Sequence, residues 1–247
     1  MSGEVTTRSR AEHLECSRSH RRTEWVGIVV TALVMLLLAI AVLAMKPWTD
    51  GLLVLGIGLV VGILVADLGS GALHWAFDTY FDVDQRAFSR AVRIAREHHE
   101  RPAAILQYSF RDYVSFSAWP TLVLFGPVAA TSIGLTGGSA RSAAVTAVLI
   151  VFTAMFFGSH THALGHHWSN VAVLRWMQRA GLIMSPRHHR LHHNGIHLTH
   201  YCTFVGVMNL VCDRWLFWRF LEGMIEKAIG HAPRTHENGP SLVEAAR

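Results

Sequence analysis

Residues 25–45 form a run of twenty-one positions without a single charge, and this run limits the fold more than any other stretch. As a helix it covers ~31 Å at 1.5 Å per residue, enough for the ~30 Å hydrocarbon core of a bilayer. Inside lipid every backbone polar group must be satisfied within the segment or a closed barrel, so a chain with such a run commits to helices. Further apolar segments follow at 52–66, 113–135 and 143–157. The third contains Pro120, Gly126 and Pro127, which either sit inside a membrane helix or split it into a re-entrant hairpin. The expected fold is all-α, an integral membrane helical bundle with about four transmembrane helices. Gly56, Gly58 and Gly62 in the second span suit close helix packing better than any nucleotide loop.

The basic residues give this bundle a direction. Five arginines precede the first span, six lie between the second and third, and nine lysines and arginines follow the fourth; Lys46 and Arg141 alone occupy the opposite connections. The positive-inside rule therefore puts both termini in the cytoplasm. A net charge of +5 raises the question of nucleic acid, but the charges come in blocks between apolar spans, which is topology and not a phosphate-binding stripe. Cys16, Cys202 and Cys212 are scattered and odd in number, which fits thiols in a reducing compartment. The expected organisation is a disordered cytoplasmic tail over 1–24, a membrane domain over 25–222 and a polar C-terminal tail over 223–247. Residues 204–221, rich in Trp, Phe and Val with interleaved charges, suit a helix lying in the interface.

All seventeen histidines fall on the cytoplasmic side of this topology or just inside it. The densest stretch, 185–200, holds six of them, including His188, His189, His192 and His193. On a helix His189 and His193 stand one turn apart with His192 beside them, so the three can converge on one point. His74 and Asp78 lie four apart at the end of the second span, and His162 and His166 repeat that spacing after the fourth. His98 and His99 are adjacent; on a helix they point ~100° apart, toward different metals or toward one metal and one supporting partner. Pro102 ends that helix.

Neutral imidazole is the commonest protein metal ligand, and one tetrahedral zinc needs only four ligands. Eight or nine imidazoles from four segments argue for two neighbouring metals, since surplus imidazoles gathered without a metal are costly to desolvate. No H-E-x-x-H or E-x-x-H motif occurs, so neither a zinc protease nor a carboxylate di-iron bundle fits. A histidine-rich, di-metal cap at the cytoplasmic end of apolar helices points instead to a di-iron site that activates O2 beside a lipid chain. A non-enzymatic metal-binding or transport protein is the competing class, but a transporter distributes its ligands along a path through the bilayer.

These motifs resemble the plasmanylethanolamine desaturase family, also called CarF or Kua, among the lipid desaturases. The similarity rests on Gly71-Ala-Leu-His74-Trp75 with Asp78, Arg96-Glu-His-His99 with Pro102, His162-x-x-x-His166, His189-x-x-His-His193, His197, Tyr201-Cys202, Asn209 and Phe217-Trp-Arg-x-Leu-Glu222. It implies that O2 and two electrons convert the sn-1 O-alkyl chain of a plasmanyl phospholipid into a vinyl ether. It also implies two iron ions held by His74, His98, His99, His162, His166, His188 or His189, His192 and His193, with Asp78 orienting a ligand histidine. No haem motif or flavin loop is present, so the electrons come from an external donor resembling cytochrome b5 or ferredoxin. An acyl-lipid desaturase or hydroxylase using the same boxes is the nearest alternative activity.

Overall fold

The computed structural model describes residues 18–46, 51–82, 88–134, 138–194 and 197–234. The outer parts of both expected tails, with His13 and His236, lie outside the described residues. Among the described residues all regular structure is helical, and four helices are long and apolar enough to cross a membrane.

The first, α1 (Arg18–Met45), begins seven residues before the uncharged run. Residues 18–24, expected as tail, are helical because partners hold them. Glu24 pairs with Arg90 at 2.5 Å, and the Thr23 carbonyl accepts from Trp119 Nε1 at 3.0 Å. Helix α2 (Leu52–Thr79) has 28 residues, or ~42 Å. That exceeds a ~30 Å hydrocarbon core by ~8 residues, about two turns, and His74 and Asp78 lie in the last two turns of the helix.

A short amphipathic helix α3 (Ser89–Glu100) follows and stops before Pro102, where a 3₁₀ turn (Pro102–Gln107) takes over. Helix α4 (Phe110–Gly134) runs through both prolines without a break, so the hairpin alternative does not apply. Pro120 and Pro127 withhold backbone N–H donors from the turns before them, and nearby hydroxyls bond main-chain carbonyls: Thr121 Oγ1 to Ser117 at 2.8 Å and Thr131 Oγ1 to Pro127 at 3.0 Å. Helix α5 (Ser139–Phe156) completes the spans.

The spans pack as the small residues require. A methyl group on Gly58 would come within 2.8 Å of the Ala143 carbonyl oxygen, and one on Gly62 within 2.7 Å of Ile150 Cβ. These two glycines therefore let the α2 and α5 backbones approach closely, whereas Gly56 faces open space. Leu38, Ala129, Val145 and Phe152 join α1, α4 and α5 in one buried cluster. The outer faces of α1 and α2 remain apolar and exposed, as lipid contact demands.

Beyond the spans come α6 (Gly158–Leu164), α7 (Ala172–Ala180), α8 (Pro186–His193), α9 (Asn209–Arg214) and α10 (Phe217–Ile229). The interfacial helix expected over 204–221 is in fact two helices, parted at Leu216, whose φ of 51° is left-handed and cannot continue a helix. Helix α10 carries the ordered chain past Glu222, and Arg234 forms an ion pair with Asp82. The near half of the expected C-terminal tail is therefore structured.

The loop before α9 is fixed by one side chain from a membrane helix. Asp67, fully buried in α2, accepts three backbone N–H bonds at 2.8 Å: Val205 and Gly206 on Oδ1, Met208 on Oδ2. Ser70 Oγ accepts a fourth from Thr203 at 3.0 Å. Asp67→Ala would leave three backbone donors without their acceptor, that of Gly206 buried and those of Val205 and Met208 partly buried, at up to ~1–3 kcal/mol for the buried one. The expected outcome is a clear fall in the thermal unfolding midpoint in detergent, with Asp67→Asn intermediate. A midpoint equal to wild type for Asp67→Ala would refute this anchoring role.

Candidate metal centre

Two groups of donors lie side by side where α2, α3, α6 and α8 meet. The first is His98, His162, His166, His189 and His193; the second is His74, Asp78, His99 and His192; within each group the donor atoms lie within 4.8 Å of one another. The groups adjoin, with ring centroids 4.8 Å apart for His74 and His162 and 4.4 Å for His98 and His99.

Local structure explains the convergence. Helix α8 opens with Ser185 as N-cap, its hydroxyl accepting the His188 N–H at 3.3 Å, and Pro186 at the first position, a strong start signal. This short helix presents His189 and His193 to the first group and His192 to the second. The three do not converge on one point as their spacing suggests, because His192 and His193 are ~100° apart around the axis. The same angle on α3 sends His98 to the first group and His99 to the second.

The nitrogen contacts test whether a cation fits. His189 Nε2 lies 3.0 Å from Nε2 of His162, of His166 and of His193. One ring nitrogen carries at most one proton or one in-plane lone pair, so it cannot hydrogen-bond three others together. Ligands sharing one ion at ~2.0–2.1 Å necessarily stand about this far apart. In the second group Asp78 Oδ2 is 3.3 Å from His74 Nε2, 3.6 Å from His99 Nε2 and 3.7 Å from His192 Nε2. Both Asp78 oxygens are buried without a hydrogen bond, as are His74 Nε2 and His98 Nε2. The donor sets fit a cation in each group.

Backbone carbonyls orient three of the rings. His74 Nδ1 donates to Tyr201 O at 3.0 Å, His98 Nδ1 to Ile94 O at 3.2 Å, and His192 Nδ1 to Thr199 O at 2.7 Å. With the proton on Nδ1, Nε2 keeps its lone pair toward the group. Asp78, expected to orient a histidine, therefore stands among the donors instead, since main-chain carbonyls have taken the orienting role. Burial first, and the neighbouring imidazoles second, push His98, His99, His162 and His189 well below the usual imidazole range. Burial with His74 beside it does the same for His192. His166 is lowered to about 4 and His193 to about 3. All are neutral at pH 7, as metal ligation requires.

His188 is not brought to either group. It sits on the other side of α8 with Nε2 accepting from Asn209 Nδ2 at 3.2 Å, so as a ligand candidate it is replaced by His189. The carbonyls of Ile94, Thr199 and Tyr201 escape a sequence reading because they carry no side-chain signal. His197, one of the residues that carry the resemblance, stacks on His99 at 4.4 Å without joining a group.

An apolar cavity leads to the centre. It is lined by Leu73, Phe77, Phe116, Pro120 and Met155 among others and reaches His74, His98 and His162. Its volume of about 90 Å³ is several times the ~10–15 Å³ that one water needs.

A multi-pass helical bundle that opens an apolar cavity onto paired imidazole-rich groups defines a membrane enzyme of lipid chains. A model of the lipid desaturase domain matches residues 63–236. The chain is 29% identical over 229 residues to plasmanylethanolamine desaturase 1 of Mus musculus, covering 90% of this chain and 83% of that protein. It is 32% identical over 197 residues to the plasmanylethanolamine desaturase of Myxococcus xanthus (76% and 65%). It is also 28% identical over 175 residues to the chloroplastic fatty acid desaturase 4-like 2 of Arabidopsis thaliana (70% and 61%). No solved structure matches the chain. The chain belongs to the lipid desaturase family and is an oxidoreductase.

The two-group arrangement predicts that His189→Ala, purified from membranes, carries clearly less bound metal than wild type, while His188→Ala keeps the full amount. Elemental analysis by mass spectrometry reads both. Equal losses in the two variants would overturn the division made here.

Proposed function

We propose that the chain is a di-iron desaturase that uses O2 and two electrons to remove hydrogens from C1 and C2 of the sn-1 O-alkyl chain of a plasmanyl phospholipid. The product is a vinyl ether, a plasmalogen. The observation that carries this reading is the apolar cavity, whose inner end meets His74 from one donor group and His98 and His162 from the other. A chain lying there reaches both groups at once. Iron bound by these groups would supply an oxidant for an unactivated C–H bond, which redox-inert zinc cannot.

The protein's own groups have defined tasks. Phe77, Phe116 and Met155 surround the alkyl chain and exclude water. His98, His162, His166, His189 and His193 hold one ion as neutral ligands. His74, His99, His192 and the Asp78 carboxylate hold the other, and Asp78 offsets part of its charge. The carbonyls of Ile94, Thr199 and Tyr201 keep three imidazoles in the ligating tautomer. The charge asymmetry along the chain supports a cytoplasmic position for the centre and both termini, within reach of an external cytochrome b5- or ferredoxin-like electron donor.

Relatives named fatty acid desaturases support an acyl-chain reading, including a probable one from Acanthamoeba polyphaga mimivirus at 30% identity over 182 residues. The alkyl reading is preferred because the similarity to the mouse plasmanylethanolamine desaturase extends over 90% of the chain.

Mass spectrometry of lipids decides the matter, in a host lacking vinyl ethers, supplied with O-alkyl lipid and expressing wild type or His193→Ala. Wild type is expected to yield an acid-labile vinyl ether. His193→Ala should lose more than the ~10–100-fold typical of changes behind a metal ligand, while still inserting in the membrane. His13→Ala and His236→Ala should match wild type. New double bonds in acyl chains only would replace the alkyl reading with the acyl one.

A further inference from the structure

We propose that an aromatic column behind the second donor group is a discharge path for oxidising equivalents, running from the metal ligands to the protein surface at Tyr80. This rests on the reading of the centre as an oxygen-activating iron site. A centre able to break an alkyl C–H bond also threatens its own imidazoles whenever no lipid chain is in place.

The column is continuous. The Tyr201 ring lies 5.2 Å from His192 and 5.7 Å from His74, centroid to centroid; Trp218 follows at 5.5 Å, Trp75 at 5.6 Å from Trp218, and Tyr80 at 5.4 Å from Trp75. Tyr201 and Trp218 are fully or almost fully buried, while the Tyr80 ring, just past the end of α2, is partly exposed beside the exposed His231, with its hydroxyl turned inward and buried.

Three observations go beyond packing. The chain has 12 Phe against 4 Tyr and 8 Trp, so phenylalanine is as common as the other two together, yet the four rings in line are all of the readily oxidised kinds. Trp218 Nε1 is buried without a hydrogen-bond partner, a cost that phenylalanine would avoid at the same position. Trp75 Nε1 donates to the buried Glu222 carboxylate at 2.9 Å, with Arg219 2.7 Å from the same oxygen. A base in contact with the indole N–H is what an indole needs in order to lose an electron without accumulating charge.

The step balances as follows. One electron passes from Trp75 through Trp218 and Tyr201 to the oxidised centre, and the indole proton moves to Glu222. Tyr80 then gives an electron to Trp75, Glu222 returns the proton to the indole, and the phenolic proton of Tyr80, whose hydroxyl is itself buried, leaves to solvent by way of the exposed His231 ring beside it. A small thiol at the surface reduces Tyr80 and restores its proton, and two oxidised thiols join as a disulfide. For each equivalent, one thiol is consumed, one electron reaches the centre and one proton is released.

The test uses the full-length, iron-loaded protein in lipid nanodiscs, given reductant and O2 but no oxidisable lipid. Peptide mass spectrometry locates added oxygen, and freeze-quench electron paramagnetic resonance reads tyrosyl and tryptophanyl radicals. Trp218→Phe keeps the ring and loses no hydrogen bond, so iron content and initial desaturation with lipid present should match wild type. Without lipid it should show a several-fold rise in oxygen added to the site histidines, faster iron loss and no tyrosyl radical at Tyr80. Tyr80→Phe, at the outer end, keeps the ring that packs on Trp75 and removes a hydroxyl that has no hydrogen-bond partner, and it should move the histidine damage in the same direction. Histidine damage unchanged in both variants, with normal iron and product, would overturn the path. A wild type without iron or lipid product would defeat the reading of the centre, and this proposal with it.

Discussion

Everything in this protein is arranged around nine donor atoms held out of water and close to one another. Eight are imidazole nitrogens and one is a carboxylate oxygen. Neutral imidazoles with their lone pairs turned inward repel one another, and His189, with three such neighbours at 3.0 Å, cannot resolve the conflict by hydrogen bonding. Only a positive charge among them makes the arrangement favourable, because a buried polar atom without a partner costs free energy at every position. The bundle below exists to hold helix ends that would otherwise separate. Close packing of α2 on α5 at Gly58 and Gly62 fixes the ends carrying His74 and Asp78 relative to those carrying His162 and His166.

A second set of contacts turns a gathering of imidazoles into an oriented site. The loop between α8 and α9 supplies the Thr199 and Tyr201 carbonyls that fix the tautomers of His192 and His74. Such a loop has no periodic bonding of its own, and Asp67 supplies it, collecting three N–H groups from within α2. A buried carboxylate in a membrane-spanning helix invites a catalytic assignment. Here its hydrogen bonds are fully used by the backbone, and its effect on chemistry runs through the loop it holds.

Much of this was legible in the sequence, and the limits follow physical lines. Long apolar runs fix the number of spans because lipid leaves the backbone no alternative, and ligand spacing marks His74, Asp78, His162, His166, His189 and His193 because helix geometry is regular. The prolines of α4 were ambiguous, since a proline breaks a helix or not according to whether its neighbours pack around it, and local sequence does not record that. His188 stands in the sequence as a possible substitute for His189; only the direction in which α8 docks separates them. The place of Asp78 among the donor atoms is hidden for a related reason. A histidine can be oriented by any carbonyl, and the carbonyls of Thr199 and Tyr201 belong to a loop whose course depends on Asp67, far away in the chain.

The paired histidines then acquire a geometric meaning. A single ligand on a helix serves one ion, and two ligands four residues apart serve the same ion from one face. Two adjacent histidines are ~100° apart, so a helix carrying such a doublet can stand between two ions and contribute to both. Helices α3 and α8 each do this, His98 and His193 turning to the first group while His99 and His192 turn to the second, with the His99 and His192 Nε2 atoms 3.2 Å apart. Two short helices thereby set the separation of the groups through rigid backbone, with no bridging side chain required. A shift of either helix would move donors in both groups together, which ties the two halves of the centre into one unit. Inserting a residue between His192 and His193 would rotate one of them by a further ~100° and break that tie, whereas the spacing between the α3 and α8 segments along the chain is free to vary.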